Sequence, residues 1–271
     1  MDGGSGKKTM RGGGGSRRGP AVSALALACL GTALAGLGYG MSGAAFNADE
    51  VVGPAVFWAG VMLFLLAAPL RGAAAEFSTA VRSRLGATAF IAYMAVHLLL
   101  YGFIFDVILA AFYGESYFST GADLLVATNL FSPPSLIGLA SNLAYNPIIE
   151  VSVPPIFSTA LSFYSIAIAV VIAVLVVANI GRTRELAVAG AAAGKARAFL
   201  ILPVVGIVFG ASCCLSVAGL ISLASPAATV LAASPWIYYV TYFLFPCLAI
   251  VLLYLNLRSM RVAGLTGPRD R

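Results

Sequence analysis

Two ionisable side chains fall inside the most apolar parts of this sequence, and both lie in one stretch, residues 87–112. They are His97, near its middle, and Asp106, in its outer third. A charge placed in hydrocarbon is costly unless paired or hydrated, so such residues are functional candidates by default. On a helix, nine residues advance about 900°, which puts His97 and Asp106 on opposite faces. His97 shares a helical stripe with Tyr93, Met94 and Tyr101. Asp106 has a possible partner in Ser158, Ser162 and Ser165, spaced i, i+4, i+7 at the start of the next apolar run. A carboxylate facing such a row of hydroxyls would coordinate a cation or take up a proton. The same arrangement also serves as a static interhelical hydrogen bond.

Sulfur supplies the second candidate. Cys29, Cys213, Cys214 and Cys247 all fall within apolar runs. At 1.5 Å per residue, Cys29, Cys213 and Cys247 lie roughly 16–18 Å from the outer ends of their helices. Thiolates select soft ions such as Cu(I), so three sulfurs at one level are a candidate soft-metal site. The adjacent pair Cys213-Cys214 resembles the vicinal cysteines in a span of the mercuric-ion transporters. The resemblance covers a few residues only, and no cytoplasmic cysteine pair is present to receive an ion. The structural alternative is simpler. Gly206, Gly210, Cys214 and Ala218 form a row of small residues at every fourth position, as do Ala28, Thr32, Gly36 and Gly40. Such rows let helices approach closely in a membrane.

Other chemistries lack their residues. Gly210-Ala211-Ser212 resembles the Gly-x-Ser core of the rhomboid proteases, but the single histidine precedes it instead of following in a later span. Without that base the serine has no activator. No lysine lies within an apolar run to carry retinal, and one histidine cannot build a copper monooxygenase site. His-Glu-x-x-His is absent. The sequence therefore leans away from an enzyme and leaves any cofactor unknown.

The elements that must position these residues follow from composition. Hydrophobic residues make up 61% of the 271 and charged residues 10%, which no soluble domain could sustain. A bilayer core takes about 20 apolar residues per helix. Runs of that kind lie near 21–41, 51–70, 87–112, 158–180, 198–225 and 236–257, predicting an all-α integral membrane protein with a six-helix bundle over residues 20–258. With six spans all 16 Lys and Arg residues fall on one side, together with four acidic residues. Asp49, Glu50, Glu115, Asp123 and Glu150 fall on the other. Basic loops stay inside, so a plasma-membrane protein with both termini cytoplasmic is expected. The net charge of +6 reflects that bias and contact with anionic lipid, with no sign of a nucleic-acid partner.

Residues 1–19 and 259–271 read as cytoplasmic tails, the first Gly-rich, basic and disordered. Ala21–Met41 is long for a signal h-region and reads as an uncleaved first helix. The external stretch 113–157 exceeds ordinary connections. Its aliphatic groups around Leu124–Val126 and Leu136–Leu143, punctuated by Pro133-Pro134, Asn146-Pro147 and Pro154-Pro155, predict a partly helical external cap. Pro54, Pro203 and Pro246 would kink their spans. Two functions follow as expectations. One is a small-solute, ion or soft-metal permease working beneath the cap. The other is a non-catalytic scaffold of a larger membrane complex or a homo-oligomer, docking through the small-residue rows.

Overall fold

The computed structural model describes residues 19–42, 49–100, 123–127, 139, 142–144, 146–153, 157–188 and 240–265. Helix α1 (Gly19–Ser42) opens with Pro20 in its first turn, where a missing N–H costs nothing. It packs antiparallel on α2 (Asp49–Ala67), which carries Pro54 in its second turn. Glycine makes the pair close. A Cβ on Gly31 would lie 2.6 Å from Phe64 N and 2.8 Å from Gly60 O. A Cβ on Gly38 would meet Phe57 N and lie 2.6 Å from Gly53 O. Glycines seven residues apart on each helix thus face one another, Gly31 against Gly60 and Gly38 against Gly53.

The contact face is therefore not the one expected from the spacing-by-four row. Thr32, Gly36 and Gly40 are exposed on the far side of α1, and a Cβ at Gly36 or Gly40 would meet nothing within 4 Å.

At Pro69 the chain loses a backbone donor and α2 ends. A second helix, α3 (Arg71–Ala80), leaves at 87°. Ser83 then caps α4 (Arg84–Ala95), its Oγ accepting from Gly86 N at 3.1 Å. One π-helical turn, Val96–Leu100, continues α4.

Three antiparallel strands follow in the order β1 (Asp123–Ala127), β2 (Ile148–Val153), β3 (Phe157–Leu161). Leu124 pairs with Val151, and Val151 with Thr159. The expectation of helix around Leu124–Val126 is thereby corrected. Three aliphatic residues are too short a run to show a helical period, and their backbone groups find partners in β2 instead. Asn142–Ala144 are helical, and residues 113–122, 128–138, 140–141, 145 and 154–156 of the expected cap lie outside the described residues.

Helix α5 (Phe163–Val188) is the centre of the molecule, touching α2, α3, α4 and α6 (Phe245–Leu265). It starts five residues later than the predicted fourth span because residues 157–161 are paired in the sheet. Val171 through Ala178 are all buried, as a helix apolar on every side requires. A second π turn, Val240–Leu244, leads into α6.

Among the described residues, three helices (α1, α5, and α6 with its π turn) are long and apolar enough to cross a membrane, or four if α2 and α3 count as one bent span. The described chain alternates between two ends. One holds the sheet, Ser42 and the π turns. The other holds α3 and the arginines of α3, α4, α5 and α6, and is called the basic end below.

Candidate functional site

Below the sheet the helices are joined by a buried layer of neutral polar and aromatic side chains. Helix α5 begins there, at a serine pair. Ser162 Oγ accepts from Ser165 N at 3.2 Å, and Ser165 Oγ accepts from Ser162 N at 2.9 Å. This reciprocal arrangement satisfies donors that a helix start leaves open. It also corrects the expected serine row. Ser158 belongs to β3, so Ser158, Ser162 and Ser165 do not share a helical face.

A relay of hydroxyls runs on from the cap. Ser162 Oγ and Tyr242 Oη are 2.9 Å apart, and Tyr242 Oη donates to Ala144 O at 3.3 Å. Tyr242 lies in the second π turn, whose backbone carbonyl accepts from Tyr164 Oη at 2.9 Å. In the first π turn Leu98 O accepts from Thr159 Oγ1 at 3.2 Å, and Tyr93 Oη lies 2.8 Å from His97 Nδ1. Both π turns are thereby tied to the β3–α5 junction. Such turns are frequent at functional sites.

The short segment Asn142–Asn146 seals the layer. Trp58 Nε1 donates to Leu143 O at 2.6 Å, and Asn142 Nδ2 donates to Ser42 O at 3.2 Å. Asn146 Nδ2 donates to Asn142 Oδ1 at 2.6 Å, while Asn146 Oδ1 is buried with no partner among the described residues. Rings of Trp58, Tyr164, Tyr242 and Phe243 pack edge-on or tilted, with centroids about 5 Å apart.

The chain matches no known family model, curated protein or solved structure. Function must come from geometry alone.

His97 is wholly buried and lies in the layer, as do Ser162 and Ser165. The histidine is bonded to Tyr93, and the serines to each other and to Tyr242, so the described groups form no serine–histidine pair. Cys29 and Cys247 are free and exposed on α1 and α6. Among the described residues no group of three or more His, Cys, Asp or Glu converges on a point. Asp106, Tyr101, Cys213, Cys214, Gly206, Gly210 and Ala218 lie outside the described residues. Of the first-helix row, Thr32 spends its hydroxyl on Ala28 O at 3.0 Å within its own helix.

Nearer the basic end lies a polar contact that attention to ionisable groups overlooked. Asn179 Nδ2 donates to Leu175 O at 2.7 Å and across the interface to Leu253 O at 3.1 Å. Asn256 Nδ2 donates back to Asn179 Oδ1 at 2.8 Å, and Thr183 Oγ1 reaches Asn179 O and Met260 Sδ. Two asparagines in otherwise apolar spans were the available signal, since such amides bond across helices.

Proposed function

We propose that this chain is a non-catalytic assembly subunit of a membrane complex, and that α1 carries the face on which another transmembrane helix docks. The carrying observation is that α1 has two glycine faces. Gly31 and Gly38 are filled by α2. Gly36 and Gly40 stand open about half a turn away. Four-residue glycine spacing on an apolar helix is the pattern that lets a second backbone approach. The central helix supports the same reading, because Val171 to Ala178 are all buried and α5 is packed on every side at that level.

Cys29 provides the test. It lies within about 20° of Gly36 and Gly40 around the helix, and it is free and exposed. A maleimide–diazirine cross-linker placed on Cys29 in native membranes should capture one neighbouring polypeptide, or a second copy, at defined mass. The adduct should vanish in Cys29→Ser. Capture of lipid alone contradicts the reading.

A small-solute permease is the second reading, favoured by the two π turns and the buried polar layer between them. It places the solute beneath the cap, held by the charge of Asp106, and predicts that Asp106→Asn abolishes uptake while the fold is kept. A soft-metal cargo would instead require Cys213 and Cys214, and its uptake would be lost when both are changed to Ser. For orientation, the described arginines lie on elements at one end, including Arg71, Arg82, Arg182 and Arg261. That distribution supports a cytoplasmic basic end in the plasma membrane.

A further inference from the structure

Burial falls away across the three-stranded sheet from β3 to β1. In one register row Thr159 of β3 is buried, Val151 of β2 is half-buried and Leu124 of β1 is 65% exposed. In the next, Leu161 and Ile149 are half-buried and Val126 is 53% exposed. Alternate residues of a strand share a face, so both rows lie on one side of the sheet. The two charged residues of the sheet, Asp123 and Glu150, hold the intervening register positions.

Thr159 fixes which way this face looks. Its Oγ1 donates to Leu98 O at 3.2 Å, in the π turn that ends the described part of α4. The face is therefore turned toward the helices. They cover β3 and stop short of β1, which stands two strand spacings, about 10 Å, further out. Leu124 and Val126 overhang the bundle, and Val153 at the end of β2 is exposed beside them.

The depth of the overhang says what covers it. The arginines mark one boundary of the membrane. From Arg182 to Phe163 is about 28 Å along α5, and from Arg84 to Leu98 about 21 Å along α4. The sheet therefore sits within about 10 Å of the far boundary of a hydrocarbon core roughly 30 Å thick. Alongside, Ile91 of α4 and Leu99 of its π turn are exposed, as lipid-facing residues are. An apolar patch at that level meets lipid before it meets water. We propose that this face of the sheet rests on the bilayer, with Leu124 and Val126 set into the headgroup–acyl boundary of the leaflet opposite the basic end. The boundary suits β1, the edge strand of the described sheet, because an open edge cannot sit in dry acyl chains. This seat needs a membrane around the bundle and does not depend on docking at α1.

The test uses the full chain with its four cysteines changed to serine, reconstituted in phosphatidylcholine bilayers and labelled with bimane at Leu124→Cys or Val126→Cys. Ile91→Cys gives the lipid reference, and Val188→Cys, exposed beyond Arg182 at the basic end, gives the aqueous one. Phosphatidylcholine carrying a nitroxide near the glycerol end of its acyl chain should quench the Leu124 and Val126 labels as it quenches Ile91. Iodide should quench Val188 and spare both. Val153→Cys reads the same face should a label on β1 disturb the strand. Iodide quenching of the sheet labels to the level of Val188 would put the face in water and overturn the proposal. Protection from both quenchers would overturn it as well, since the face would then be covered by protein, either a second copy or another subunit.

Discussion

Asn256 Nδ2 donates to Asn179 Oδ1 at 2.8 Å, joining two largely apolar helices, α5 and α6, by a pair of amides. Asn179 is wholly buried and bonds to Leu253 O as well, so it holds α6 at two points. Asn256→Ala leaves Asn179 Oδ1 without its donor. The coupling between the two residues should be about 0.6–1.7 kcal/mol, the range for hydrogen bonds between transmembrane helices. A double-mutant cycle of Asn179→Ala and Asn256→Ala, read by reversible unfolding in detergent, measures it. Additive effects would mean that the amides do not cooperate.

The two glycine faces of α1 should respond oppositely to an added methyl. Gly38→Ala drives a Cβ into the α2 backbone at Phe57 and Gly53, and should destabilise the fold by about 1–3 kcal/mol. Gly36→Ala meets nothing and should leave stability unchanged. Thermal unfolding of the two variants side by side checks both. Equal losses would show that the open face is already occupied within the chain.

Ser162 acts twice, as cap of α5 and as partner of Tyr242. Ser162→Ala should cost about 1 kcal/mol from the cap alone and loosen the α5–α6 junction. Ser165→Ala removes the reciprocal bond but spares Tyr242, and should cost less. Amide hydrogen exchange across residues 162–168 and 240–246 should rise in the first variant and only in the α5 segment in the second.

These residues also show what the sequence made legible. Helices α1, α5 and α6 were readable because each is an apolar run of lipid-spanning length, and α2 as a shorter apolar run that reaches that length only together with α3. The strand at Asp123–Ala127 was not, since its pairing partner lies more than twenty residues away and no local pattern announces it. Ser158 and Ser162 looked like one helical stripe because a period counts positions and cannot tell which serine ends a strand and which starts a helix. The working glycines were passed over for a related reason. Gly31, Gly38, Gly53 and Gly60 repeat by seven, while the row repeating by four faces outward. His97 with Tyr93 was legible, the two being one helical turn apart even though His97 itself sits in the widened turn. Asn179 and Asn256 carry no charge and so drew no attention.

The open face of α1 is tested most directly by the mass of the intact particle. Native mass spectrometry of the protein drawn from its own membrane in mild detergent should give an assembly of fixed stoichiometry. In Gly36→Leu with Gly40→Leu, expressed at equal level and equally stable, that assembly should fall to the single chain. A wild-type chain that is monomeric from the outset, or an assembly that survives both leucines, would contradict the docking face and leave the polar layer around His97 and Tyr242 as the seat of function.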